Sequence, residues 1–162
     1  MTPNELQQLI RDFYLERVAL LQRHEASARF VTDYDVNNAY QYIISREETH
    51  VSWLLHALVD LGAALPTEPA PPTVHAGKGK DLLRQLAGED ARAAAAFVEK
   101  WTPLVAAVSN ARHRNMLKVI LGEMIEHQRL FAQAAEGRVD IIGIPMVGTE
   151  RHGGVAPVRW IE

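Results

Sequence analysis

The chain has 162 residues, 48% of them hydrophobic and 23% charged, and contains no cysteine. This size suits one globular domain with a continuous core, and the lack of cysteine excludes disulfides, thiolate zinc sites and iron–sulfur clusters. The net charge is −3, with 17 basic residues scattered among 20 acidic ones, so no nucleic-acid partner is expected. The sequence has no secretory signal and no membrane-spanning apolar run, so we expect a soluble, cytoplasmic protein without a membrane partner.

Two amphipathic helices are predicted in the N-terminal half. Thr2 and Pro3 have the character of a helix start, and apolar residues then recur at helical spacing to about Ala28. Residues 32–35, Thr-Asp-Tyr-Asp, are typical of a turn followed by a helix cap. The second helix that follows has apolar positions at alternating steps of four and three residues from Val36 onward. Gly62 stands where a C-cap for this helix is expected.

Two further helices are predicted after a long crossover. Residues 63–80 contain four prolines and two glycines without periodicity, which indicates an extended connection. A short helical stretch begins at Asp81, and a break is allowed at Gly88 before an alanine-rich third helix. Pro103 either kinks that helix or restarts it, and a fourth helix is predicted over about 112–136.

These elements predict an all-α fold, with one four-helix bundle over residues 1–137. The remaining residues 138–162 contain too many glycine and proline breaks for a helix. We expect them to form an extended C-terminal arm that packs on the bundle or on a neighbouring subunit.

Ionisable residues interrupt the apolar stripes of these helices. Glu47 and His50 fall on the stripe of the second helix, where a bundle normally places Leu or Ile. Such groups are costly to bury without compensation, and an i, i+3 pair can present a carboxylate and an imidazole to one metal ion. Glu16 is predicted to lie on the core-facing row of the first helix, between Phe13 and Leu20.

The third and fourth helices carry further candidates. Glu123 and His127 are predicted on one stripe of the fourth helix, with Glu126 beside them, and Glu99 lies near the core row of the third. Each of the four glutamates at 16, 47, 99 and 123 stands about 12 residues, or about 18 Å, from the turn of its helical pair. The sequence therefore predicts one layer containing a glutamate from every helix.

This pattern resembles the ferritin-like superfamily, whose members include rubrerythrins, bacterioferritins and di-iron oxygenases. The shared features are a Glu on helices one and three, Glu-x-x-His on helix two, a related Glu and His cluster on helix four, and a long crossover. The resemblance covers roughly residues 3–137 and implies an antiparallel four-helix bundle. It also implies two bound metal ions, iron first and manganese or a mixed pair second, that react with dioxygen or peroxide.

The resemblance also implies roles for individual residues. Glu16 and Glu99 would be terminal carboxylates, Glu47 and Glu123 bridging ones, and His50 the imidazole on one metal. The fourth helix departs from the family pattern, because its Glu123 is followed by Glu at i+3 and His at i+4. The second metal would then be held by His127, by Glu126 or by neither.

Three functions follow as expectations. The first is a di-metal oxidoreductase of peroxidase, oxidase or ferroxidase type, whose electrons come from a partner or a small molecule because the chain has no cysteine-rich iron module. The second is ferrous iron oxidation for storage. The third is a metal-free four-helix scaffold or binding protein. A homodimer is expected in each case except a storage cage.

Overall fold

The computed structural model describes residues 1–73, 80–138 and 140–143. Within these ranges the secondary structure is all-helical, with α1 (Pro3–Ala28), α2 (Tyr34–Asp60), α3 (Lys80–Ala106) and α4 (Ala111–Ala135). The four predicted helices are therefore confirmed. Most of the predicted C-terminal arm, including residues 144–162, lies outside the described residues. None of the helices in the described ranges is apolar enough over a sufficient length to cross a membrane.

The helix ends follow local capping chemistry. At the start of α1, the Thr2 hydroxyl accepts a hydrogen bond from the Glu5 amide, and the Glu5 carboxylate accepts one from the Thr2 amide at 2.6 Å. Asp33 caps α2 by accepting from the amide of Val36 at 3.0 Å. Gly62 follows α2 with a φ of +67°, a conformation that glycine adopts without steric cost. These boundaries agree with the sequence-based prediction.

Helix α3 differs from its prediction because it continues without interruption from Lys80 to Ala106. The break allowed at Gly88 does not occur. A Cβ placed on Gly88 would lie 3.7 Å from Cβ of Ala135, so this glycine stands where α3 packs closely on α4, and packing outweighs its low helix propensity. Pro103 does not restart the helix, because it lies in the last turn, where the missing amide removes a single hydrogen bond.

The helices pack as two pairs. The largest interfaces join α1 to α2 and α3 to α4, and smaller ones join α1 to α3 and α2 to α4. Two apolar clusters form the core, one around Phe13, Phe97 and Trp101 and the other around Tyr40 and Phe131. On α2 and α4 the residues between these clusters are buried and polar, which places the candidate site in the middle of the bundle.

Candidate functional site

A buried carboxylate, that of Glu47 on α2, lies at the middle of the site. Its Oε2 is 2.8 Å from Nδ1 of His24 on α1, and its Oε1 is 3.1 Å from Nη2 of Arg17, also on α1. Nδ1 of His127 on α4 lies 3.5 Å from the same Oε1. All four side chains are at most 1% exposed. Together with His50, these residues form what we name the polar centre: Arg17, His24, Glu47, His50 and His127.

The surroundings of Glu47 favour its ionised form. Burial alone would raise the pKa of this carboxyl, because an apolar environment disfavours charge. The neighbouring His24 and the Arg17 guanidinium reverse that effect, so the pKa of Glu47 lies well below its usual range. Glu47 is therefore an ionised, fully buried acceptor whose charge is balanced inside the core.

His50 connects the polar centre to the outer edge of the α2–α4 interface. Its Nε2 lies 2.9 Å from Oε2 of Glu123, and its Nδ1 lies 3.5 Å from Nη2 of Arg17. Arg46 binds both carboxylate oxygens of Glu123, which is partly exposed. Burial and then the Arg17 guanidinium lower the pKa of His50 to about 4, although Glu123 opposes the shift. The imidazole is thus neutral at pH 7, donating from Nε2 and accepting at Nδ1.

Arg17 contacts all three of the other helices. Besides its contacts with α2, its Nη1 donates to Sδ of Met124 on α4 at 2.8 Å. Its guanidinium carbon lies 5.5 Å from the ring centroid of Phe97 on α3, within the range of a cation–π contact. A guanidinium stays protonated in proteins, so Arg17 provides a permanent positive charge in the centre of the bundle.

The structure brings some of the predicted site residues together and separates others. Glu47, His50 and His127 belong to the polar centre, and Glu123 borders it. Three candidates lie elsewhere, according to their contacts and exposure. Glu16 is bound at the surface to Lys100 Nζ at 2.7 Å and Trp101 Nε1 at 2.8 Å, Glu99 is exposed, and Glu126 is 50% exposed beside Arg129.

Sequence reasoning missed Arg17 and His24 on α1. The sequence signal that identifies these two residues is a strict alternation between steps of four and three residues, which also marks the buried row of α2. The same alternation on α1 passes from Ile10 through Phe13 to Arg17 and reaches His24, whereas Glu16 requires two steps of three in succession. One residue shifts the side chain by about 100° around the helix axis, so Glu16 faces the surface and Arg17 the core.

The same alternation of steps also changes which residues of α4 are assigned to its core-facing row. The buried row contains Leu117, Ile120, Met124 and His127. Met124 and His127 are therefore the i, i+3 pair that corresponds to Glu47 and His50 on α2. A methionine occupies the position at which the di-metal pattern has a glutamate.

The polar centre does not fit the donor set of two metal ions. Di-metal bundles combine four carboxylates with two imidazoles. Here a single carboxylate, Glu47, is central, and the guanidinium of Arg17 already neutralises it. Among the described residues, no three or more His, Asp and Glu side chains are arranged to hold a metal ion. Two divalent cations would add positive charge, and the other fully buried carboxylate of the described residues, Asp90, is already bound to Arg23 and Tyr40.

A second buried polar cluster surrounds Asp90 on α3. Its Oδ1 accepts from Nε of Arg23 at 2.6 Å and its Oδ2 accepts from the Tyr40 hydroxyl at 2.8 Å. Burial, followed by the Asp90 charge and hydrogen bond, raises the pKa of Tyr40, so the phenol stays protonated. Both carboxylate oxygens are used within the chain, so this cluster links α1, α2 and α3 and has no free ligand atom.

No family model, curated protein or solved structure matches this chain. The features of the chain that bear on function are therefore the polar centre and the surface of the bundle.

Proposed function

We propose that the chain is a ferritin-like, antiparallel four-helix bundle that acts as a metal-independent binding or scaffold protein and associates with a second copy of itself. The observation that carries the proposal is the buried guanidinium of Arg17, paired with Glu47 in the middle of the bundle. The di-metal pattern has carboxylates and metal ions in that region.

Contacts at opposite ends of the helical pairs support the antiparallel arrangement. Gln7, near the start of α1, donates to the carbonyl of Leu61, just past the end of α2. Asn37, near the start of α2, donates to the carbonyl of Ala28 at the end of α1. The pairs α1–α3 and α2–α4 show the same reversal of numbering, in the contacts Arg23–Asp90, Glu16–Lys100, Asp60–Arg112 and Glu47–His127.

The charge balance of the core supports metal independence. Arg17 neutralises Glu47, and Arg46 neutralises Glu123, so the ionised groups around His50 are paired within the chain. A buried pair of this kind is weak evidence for stability but is strongly disfavoured when one partner is missing. The native centre therefore needs no bound cation in order to keep Glu47 ionised.

The outer face formed by α2 and α4 supports a binding role. Trp53 on α2 and Val119 on α4 are 36% and 49% exposed, and a crevice lined by Trp53 and Met116 lies between the two helices. The nearby charged groups are paired within the chain, as in Arg46–Glu123 and Arg112–Asp60. Two copies of this face can thus meet without like-charge repulsion, burying apolar surface that water otherwise covers.

Two measurements test this function. Protein purified without chelator and supplied with ferrous iron is expected to hold far less than one metal ion per chain and to consume no dioxygen or peroxide above free iron. About two metal ions per chain would overturn metal independence. Light scattering after size exclusion is expected to show a dimer that Trp53→Ser with Val119→Ser converts to a monomer, while Leu104→Ser on α3, a similarly exposed position, does not. A monomeric native chain would overturn self-association.

One observation favours the di-metal oxidoreductase as a second candidate. Oε1 of Glu47 and Nδ1 of His127 are buried and lie 3.5 Å apart, and apart from the ion pair of Oε1 with Arg17 neither atom makes a hydrogen bond. Two ligands of a tetrahedral ion, each about 2.0–2.2 Å from it, are separated by about 3.3–3.6 Å. This function would use iron, manganese or a mixed pair, a small oxidant and an electron donor, and the metal analysis above distinguishes it. The iron-storage alternative requires a cage, which light scattering would detect.

A further inference from the structure

We infer that the crevice between α2 and α4 beside Trp53 is a binding site for a small, uncharged aromatic molecule that carries a hydroxyl group. The inference rests on the proposed binding role of this outer face and adds a ligand that self-association does not require. The crevice has a volume of about 320 Å³, which is near the lower end of the range for ligand pockets and suits a molecule of one or two rings.

Apolar side chains from two helices form the walls of the crevice. Trp53 and Ala57 lie one turn apart on α2, and Met116 lines the crevice from α4. The indole of Trp53 is 36% exposed, and its ring centroid lies 5.6 Å from that of the buried His50, which contacts it from inside the bundle. A supported aromatic ring beside a thioether favours contact with a flat aromatic ligand.

A buried polar side chain without a hydrogen-bond partner also lines the crevice. His113 on α4 is 7% exposed, and its Nδ1 is buried with no partner among the described residues. The hydrogen bond that this residue makes, to Asn110, comes from its backbone amide. Burial and then the Arg112 guanidinium lower the pKa of His113, although Asp60 opposes the shift, so the ring is neutral at pH 7. The imidazole therefore has hydrogen-bonding capacity that a ligand in the crevice can use.

The polar groups of the crevice favour a neutral hydroxyl on the ligand. A neutral imidazole has one N–H and one lone pair, and a hydroxyl both donates and accepts, so it can bond to His113 in either tautomer. Nη2 of Arg112, which also lines the crevice, lies 3.1 Å from Oδ2 of Asp60. Because these two charges are paired with each other, a charged ligand would find no unpaired counter-charge there. A phenol or a naphthol combines the hydroxyl with a flat apolar ring.

The test is a titration of the native chain with β-naphthol at pH 7, followed by NMR through the indole N–H signal of Trp53. Saturable binding is expected. Naphthalene, which lacks the hydroxyl, is expected to bind about fivefold more weakly, because the hydrogen bond to His113 is lost. The charged β-naphthoate is also expected to bind more weakly than β-naphthol.

Two variants assign the preference for the hydroxyl to one side chain. His113→Phe keeps a ring in the wall and is expected to bind β-naphthol and naphthalene equally. His56→Phe is the matched control, because His56 lines the same crevice but its Nδ1 already bonds to the Ser52 carbonyl at 2.8 Å. This control is expected to keep the fivefold preference.

Several results would contradict the inference. They are the absence of saturable binding to the native chain, equal affinity for β-naphthol and naphthalene, tighter binding of β-naphthoate, and a preference for the hydroxyl that survives His113→Phe. If His113→Phe does not fold, the three ligands still decide the matter on the native chain. Light scattering of the same samples tests self-association separately. A monomer that binds β-naphthol overturns the proposed dimer alone, and a dimer that does not bind it overturns the ligand site alone.

Discussion

The buried pair of Arg17 and Glu47 is expected to show strong energetic coupling. Arg17→Met and Glu47→Leu each remove one charge, keep much of the side-chain volume and leave the other charge buried without its partner. Each single substitution is expected to lower the free energy of unfolding by about 3–5 kcal/mol. Independent effects would therefore sum to about 6–10 kcal/mol for the double variant.

The double variant is expected to lose far less than that sum. With both charges gone, the main remaining defect is His24, whose Nδ1 loses its acceptor, a loss of about 1–3 kcal/mol. The coupling energy is thus at least about 3 kcal/mol. The measurement is urea unfolding at pH 7 followed by circular dichroism. As a control, Arg112→Leu breaks the exposed surface pair with Asp60 and is expected to change stability by about 1 kcal/mol or less. A double variant as unstable as the sum of the singles would refute this account of the centre.

Three further predictions concern other parts of the bundle. Asp90→Ala is expected to destabilise the chain by about 2–4 kcal/mol in urea unfolding, because it leaves the buried Tyr40 hydroxyl without an acceptor, whereas an effect under about 1 kcal/mol would contradict its structural role. The folded-state pKa of His50, about 4, lies below its usual 6.5, so its contribution is complete above pH 6.5 and is lost as the pH falls toward 4. His50→Gln is therefore expected to flatten the dependence of unfolding free energy on pH across this window, and an unchanged slope would count against the shift. Gly137→Ala is expected to lower the melting temperature by several degrees, because φ is +87° there and a Cβ would lie 2.9 Å from the Arg84 guanidinium; an unchanged melting temperature would contradict this.

Helix positions and three of the five residues of the polar centre, Glu47, His50 and His127, could be predicted from the sequence. The capping residues Thr2 and Asp33 and the end at Gly62 have local chemistry that the chain itself reveals. Glu47 and His50 stood out because the regular stripe of α2 leaves no other face for them.

Arg17 and His24 of the polar centre were harder to predict. Arg17 and Glu16 are adjacent, and both lie at helical spacing from Phe13, so only an unbroken alternation of steps distinguishes the buried one. Asp90 was hidden for a similar reason, because the alanine-rich α3 offers little contrast between its faces. Glu99 looked like a core candidate on that helix and is exposed.

By itself, the sequence determined that this protein forms four amphipathic helices and that Glu47 and His50 lie on a core face, because periodicity and capping are properties of neighbouring residues. Tertiary structure decided which charge neutralises Glu47. Arg17 is 30 positions away in the sequence and reaches Glu47 at 3.1 Å because helix packing brings the two stripes together. The partner of a buried charge depends on the packing and rotation of whole helices, since its Coulomb energy falls with distance in space, whatever the separation along the chain.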